Sequence, residues 1–238
     1  MASLKEIRAR IASVSSTQKL TSAMKMVSAA KLHKSEEATL KFVPYKNKLS
    51  DMLSQYLSSV DSEKLNITLA EKREVKRVAI ICISSCTGLC GTFNSNINKL
   101  LEKTLKEYSN LPEQDILIYP IGKKISDYVR KTNRIPQCSV DELSAKPTYE
   151  DAISFISPLV EKFQNKEIDK IILLYNHHKN AGVQIPTSET YLPLETIETK
   201  SNDKSYLYFT EPDIDTFINT LVPMVVRMKF YAAVIDSN

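Results

Sequence analysis

Glycine is scarce in this chain, with four in 238 residues, and the first is Gly88. Proline is nearly missing from the same stretch. Only Pro44 precedes Gly88, and residues 3–41 hold neither residue. Glycine and proline are the residues that end or kink helices, so their absence predicts one helix over roughly residues 3–58. At 1.5 Å per residue it would reach roughly 80 Å. That exceeds the diameter of a small domain, so such a helix has to lie along something else. It reads as a shaft rather than as part of an enzyme core. The N-terminal ten residues, MASLKEIRAR, lack an apolar signal core, and no run approaches membrane-spanning length. The expectation is a cytosolic protein whose four cysteines, Cys82, Cys86, Cys90 and Cys138, stay reduced.

A hydrophobic fraction of 42% suffices for a compact core, and the net charge of +4 is mild. The charge is unevenly placed. Lys5, Arg8, Arg10, Lys19, Lys25, Lys31 and Lys34 face a single acid, Glu6, over residues 1–34. This fits a solvated helix face, or a surface turned to an acidic partner, nucleic acid or anionic lipid.

Ser3 and Glu6 form a capping-box pattern at the helix start. Leu4, Ile7, Ile11 and Val14 follow the 3-4-3 spacing of a coiled-coil seam. Gln18 and Thr21 then interrupt that register. A second stripe of Leu20, Ala23, Met24, Val27 and Ala30 lies on another face. Pro44 is expected to bend or break the helix. Beyond it Leu49, Met52, Leu53, Tyr56 and Leu57 resume the pattern.

Residues 59–76 are polar and read as a junction. VKRVAIICI at 75–83 reads as a buried strand. The periodicity then predicts a helix over 94–108, with Ile97, Leu100, Leu101 and Leu105 inward. It also predicts a strand over 115–121, a helix over 123–131 and a helix over 147–163 opened by Pro147. A strand follows over 168–175, an edge strand over 183–194 and a short strand over 206–209. Alternating strands and helices indicate an open α/β sheet with crossover helices. A last helix begins near Pro212 and runs through Phe217, Leu221, Val225, Met228, Ala232 and Ile235. Its pattern still holds at Asn238 with no glycine cap, and the expectation is a chain cut within this helix.

No catalytic constellation shows itself. Residues 88–94 (GLCGTFN) follow a strand and precede a helix, where α/β proteins place phosphate loops. The spacing matches neither glycine fingerprint, and a tight turn is the better reading. Cys82, Cys86 and Cys90 are four apart, but a strand followed by a turn scatters them, and core packing is favoured over a metal site. His177 and His178 point to opposite sides of an extended chain, which makes joint chelation awkward. No serine is set in a strained, glycine-flanked turn.

The string LKEIRARIASVSSTQKLTSAMKMVSAAKL at 4–32 closely resembles the gamma subunit of F-type ATP synthases. Three further blocks extend the likeness. They are Gly88-Leu89-Cys90-Gly91 with Phe93-Asn94, then Tyr175-Asn176 with Asn180-Ala181, Gln184 and Pro186, and finally Glu211-Pro212. Cys86 and Thr87 stand where the family usually places an Asp-Arg pair. The resemblance implies an α/β fold: long N- and C-terminal helices in an antiparallel coiled coil plus a Rossmann-like open domain, the C-terminal helix being truncated here. It divides the chain into a coiled-coil helix at 1–60, a globular domain at 70–210 and the start of the second coiled-coil helix at 211–238. It further implies a non-catalytic central rotor stalk turning inside the alpha and beta subunits, with epsilon and the membrane c-ring below. The complex would sit on the cytoplasmic face of the bacterial inner membrane. No cofactor, metal or nucleic acid is implied. Partner contacts are implied at Arg8, Lys19, Met24, Lys25 and Lys31, the basic ones toward acidic loops of beta. Coiled-coil packing is the alternative for Met24 and Val27. Small and polar residues (Ser13, Ser15, Ser16, Thr17, Thr21, Ser22, Ser28) would let such a shaft slide in its housing. With its partner helix mostly absent, the seam at Ile7, Ile11 and Val14 would pair with a second molecule or leave that end disordered. The competing readings are a basic-helix binder of nucleic acid or anionic surfaces, and a small-molecule enzyme on the α/β domain.

Overall fold

The protein is described here from a computed structural model covering residues 3–59, 68–138, 140–194 and 214–238. The elements in chain order are α1 (Leu4–Ser59), β1 (Val78–Ile83), α2 (Phe93–Glu107), β2 (Ile116–Ile121), α3 (Lys123–Lys131), α4 (Asp141–Ala145), α5 (Tyr149–Gln164), β3 (Lys170–Asn180), β4 (Val183–Leu192) and α6 (Ile214–Asp236). The chain forms two compact units, Met1–Lys41 and Phe42–Asn238.

The first unit is helix. Its start is fixed by the expected capping box. The Ser3 backbone N–H donates to Glu6 Oε2 at 2.9 Å, and Ser3 Oγ accepts from the Lys5 N–H at 3.3 Å. Two of the donors left open at a helix start are thereby satisfied. Thr17 and Thr21 turn their hydroxyls back onto the carbonyls of Ser13 and Thr17, at 2.9 and 2.8 Å.

In the second unit α1 continues through Pro44 without a break, so of the bend or break expected there the break does not occur. A proline costs the helix one backbone hydrogen bond. Packing holds the turns on either side. Leu49 is buried, and Phe42 and Met52 pack against the main apolar core. Phe42 meets Tyr231 of α6 edge-on, ring centres 5.1 Å apart.

The sheet runs in the order β2-β1-β3-β4. β1 is parallel to both its neighbours, and β4 returns antiparallel beside β3. Every residue of β1 is buried because both faces are covered, which is why its sequence shows no alternation. Ala79, Ile81 and Ile83 join one core with Ile156 and Phe163 of α5 and Phe230 of α6. Val78, Ile80 and Cys82 join the other with Ile97 and Leu101 of α2 and Ile125 and Val129 of α3. Each fully buried Leu or Ile of this kind stabilises by about 1.5–3 kcal/mol.

Several boundaries differ from the sequence reading for local reasons. α5 is capped by Thr148, whose side chain accepts from the Asp151 N–H at 3.2 Å, so Pro147 lies before the helix rather than opening it. α4 is a single short turn of helix too brief to register in the periodicity. β3 continues past Tyr175 through His177 and His178 and forms a long hairpin with β4. The strand expected at 206–209 lies outside the described residues.

The sheet is tied to its surroundings at two points. At one end Arg73 Nε donates to Asp169 Oδ1 at 2.7 Å, and Asp169 Oδ2 accepts the Lys76 and Arg77 amides, each at 2.9 Å. Burial pushes this carboxyl upward, but the two amides and the guanidinium outweigh it and hold it below the ordinary carboxylate value. At the other end Ser84, just past β1, is a hub. Its N–H reaches Ile121 O at 2.9 Å, its Oγ accepts from Ile125 N at 3.0 Å, and its carbonyl accepts from Ser144 Oγ.

Candidate partner interface

Unit one is where sequence places the functional side chains, and all five expected contacts are solvent-exposed there: Arg8, Lys19, Met24, Lys25 and Lys31. At about 3.6 residues per turn they do not share one face. Arg8 and Lys19 lie along one line of the helix. Met24 and Lys31 lie along a second, with Leu20 and Val27. Lys25 follows a third, the line of the Ile7, Ile11 and Val14 seam. The two apolar stripes are about half a turn apart. Helix α1 therefore presents apolar surface on opposite sides at successive levels. That surface is open: Ile11 is 63% exposed, Val14 64%, Leu20 63% and Val27 58%. Lone exposed apolar residues are ordinary, whereas a continued series along a helix marks an interaction surface. Lys41 pairs with Glu37 at 2.7 Å near the end of this unit.

The loop at residues 84–92 joins β1 to α2 and is organised by one side chain. Asn94 Oδ1 accepts from the Ser85 N–H and Oγ, at 3.1 and 3.0 Å, while Nδ2 donates to Thr87 O at 3.2 Å and Cys90 Sγ at 3.0 Å. Leu89 and Gly91 take positive φ, 63° and 58°. Leu89 is 95% exposed. The segment is a longer, side-chain-pinned loop rather than a tight turn. Cys86, at the position of the family's usual acid, donates its thiol to Asp141 O at 3.1 Å. Cys82 is fully buried, and burial pushes its thiol well up. Among the described residues no three His, Cys, Asp or Glu side chains gather as a metal site requires.

One set of contacts escaped the sequence reading. His177 Nδ1 lies 2.6 Å from Asp236 Oδ2, and the His178 N–H donates to Asp236 Oδ1 at 3.2 Å. Lys229 pairs with Glu189 at 2.7 Å. The buried Tyr191 hydroxyl donates to Val226 O at 2.7 Å. These join the β3–β4 hairpin to α6. Nearby, burial first and then the Glu189 and Asp236 carboxylates push the Tyr175 phenol up to about 12. The adjacent histidines were the available signal, but weighing them as a metal pair hid a partner 59 residues away.

A family model described as ATP synthase matches residues 3–238. The ATP synthase gamma chain of Phocaeicola vulgatus is 44% identical, covering 100% of this chain and 83% of the relative. That of Bacteroides thetaiotaomicron is 41% identical with the same coverage. Among solved structures, the central stalk and c-ring of Tetrahymena thermophila mitochondrial ATP synthase includes a chain matching 92% of this one and 92% of itself, with a TM-score of 0.66 at 19% identity. That likeness supports the fold: a long first helix, a sheet clad by helices and a closing helix. The family match over residues 3–238 and the 44% identity along the whole chain lead to one conclusion: the chain belongs to the ATP synthase gamma-chain family.

Proposed function

We propose that this chain is the central rotor stalk of an F-type ATP synthase. It carries torque between the membrane c-ring and the alpha and beta subunits, coupling proton flow to ATP synthesis performed on beta. The observation that carries the reading is α1 itself. It is a continuous helix whose apolar stripes on two sides are exposed along the first unit. Such surfaces suit a shaft that pairs with one helix and turns against a housing. The hydroxyls of Thr17 and Thr21 are already bonded to the helix, which leaves fewer free donors to grip that housing.

By role, residues 1–60 form the first strand of the shaft, residues 70–210 the globular domain facing epsilon and the c-ring, and residues 211–238 the start of the second strand. The two long helices pair as an antiparallel coiled coil. Arg8, Lys19, Lys25 and Lys31 meet acidic loops of beta, each contact being worth about 0–1 kcal/mol, and Met24 meets the housing. The chain performs no catalysis itself and sits peripherally on the cytoplasmic face of the bacterial inner membrane. Among the described residues no helix is long and apolar enough to cross a membrane. Taken alone, the chain pairs its seam at Ile7, Ile11 and Val14 with a second molecule or leaves that end disordered, and a monomer by light scattering with a fully ordered N-terminal helix contradicts that part.

Co-expression with tagged beta and untagged alpha tests the assignment. Purification on the tag is expected to bring this chain down in stable complex. An alpha–beta assembly that forms without it, with the chain left free or bound instead to nucleic acid in a salt-dependent way, refutes the reading.

A further inference from the structure

The contacts between α6 and the β3–β4 hairpin have a geometry that packing alone does not require. Val226, Lys229, Ala233 and Asp236 are spaced 3-4-3 and so share one face of α6. The hairpin meets this face at three levels. Tyr191 bonds the Val226 carbonyl, Glu189 pairs with Lys229, and His177 and His178 hold both oxygens of Asp236. From Lys229 to Asp236, the two levels held by Glu189 and the histidines, the helix rises about 10 Å. On the sheet side Glu189 is level with Leu173, four residues before His177 along β3, a rise of about 13 Å. The polar ties are therefore spread along the helix in step with the strand.

One tie resists sliding only. Three directional ties at separate heights on one face also resist rotation of the helix about its own axis. The hydrophobic driving force has no direction of its own, so these ties add a restraint that burial alone lacks. The groups are half-accessible, with side-chain exposures of 49% for His177, 22% for Asp236, 31% for Lys229 and 34% for Glu189. The two charged ties thus lie beside the core, while Tyr191 is buried within it alongside Phe230 and Val234.

We infer that the β3–β4 hairpin is a torque hitch, and that His177, Glu189 and Tyr191 are positioning residues that lock α6 against turning relative to the sheet. The inference rests on the rotor reading above. If α6 is a strand of the shaft, torque passes from it to the globular domain through this face.

The experiment uses the assembled ATP synthase in inverted membrane vesicles carrying this gamma chain. The double variant Lys229→Ala with Asp236→Ala removes two levels of the hitch. The expected result is normal assembly, ATP hydrolysis within about twofold of the parent, and proton pumping per ATP lowered at least about threefold. Lys229→Arg keeps the charge and is expected to pump normally. Lys179→Ala, an exposed change on the same hairpin, is also expected to pump normally. An assembled double variant with undiminished pumping per ATP overturns the hitch. Pumping and hydrolysis falling in proportion also overturns it, because that assigns the contacts to folding. Failure of the unmodified chain to enter the complex is a separate result and removes the rotor reading itself.

Discussion

Removing the Asp169 carboxylate should be among the most damaging single polar changes in the second unit. The group is 11% exposed in its side chain and the Arg73 guanidinium 14%. Asp169 receives three donors, two of them backbone amides. Arg73 is further engaged by the carbonyls of Phe163 and Ile168 and lies 4.4 Å over the Phe163 ring, while its buried Nη1 has no hydrogen-bond partner among the described residues. Asp169→Ala leaves a largely buried cation and two amides without their acceptor, an arrangement that costs about 3–5 kcal/mol. The incomplete burial places this pair near about 3. Arg73→Met leaves the carboxylate its two amide partners, so about 1–2 kcal/mol is expected. The order of the two is the sharper test. The sequence has 11 tyrosines and no tryptophan, so near-ultraviolet tyrosine dichroism during urea unfolding reports the globular unit. Because the folded carboxyl lies below its unfolded value, the unfolded state binds more protons in acid. The stabilisation is therefore full above about pH 4–5 and is lost as pH falls through the folded value. The gap between parent and Asp169→Asn should be wide at pH 7 and close in acid. A loss under about 1 kcal/mol for Asp169→Ala, or Arg73→Met proving the worse variant, refutes this account of the tie.

Three further outcomes are expected. Gly122 has φ of 99°, and a Cβ there would lie 2.2 Å from the Ser84 carbonyl oxygen. Gly122→Ala should therefore destabilise by more than about 2 kcal/mol in the same urea titration. Asn94→Ala removes the side chain that pins residues 84–92, and hydrogen exchange across that loop should quicken at least tenfold while β1 stays protected. Tyr191→Phe deletes a buried hydroxyl bonded to Val226 O. It should cost about 1–2 kcal/mol by thermal unfolding, since an acceptor is left unpaired.

What the sequence revealed followed from strong local signals. α3 was legible from end to end because its apolar residues Ile125 and Val129 recur on one face between charged ones. β1 was legible because VAIICI has no other stable home than a doubly covered strand. The start of α1 was written in Ser3 and Glu6. The polar half of β3 was not legible. Its residues 176–180 are stabilised by pairing with β4, a partner that local pattern does not name. Pro44 suggested a break because helix propensity was weighed without the tertiary packing of Phe42, Leu49 and Met52. The positions of Arg8, Lys19, Met24, Lys25 and Lys31 came from resemblance, and their spread over three lines of the helix follows only from geometry. The α6–hairpin contacts were invisible because each joins residues 35 or more apart.

The rotor assignment faces its most direct trial in a rotation assay. Alpha and beta would be fixed to a surface and assembled with this chain, a visible probe attached to the globular unit. Steady, one-directional turning that begins with ATP and stops without it is the expected result. A complex that hydrolyses ATP while the probe stays still, or turns at random, contradicts the assignment.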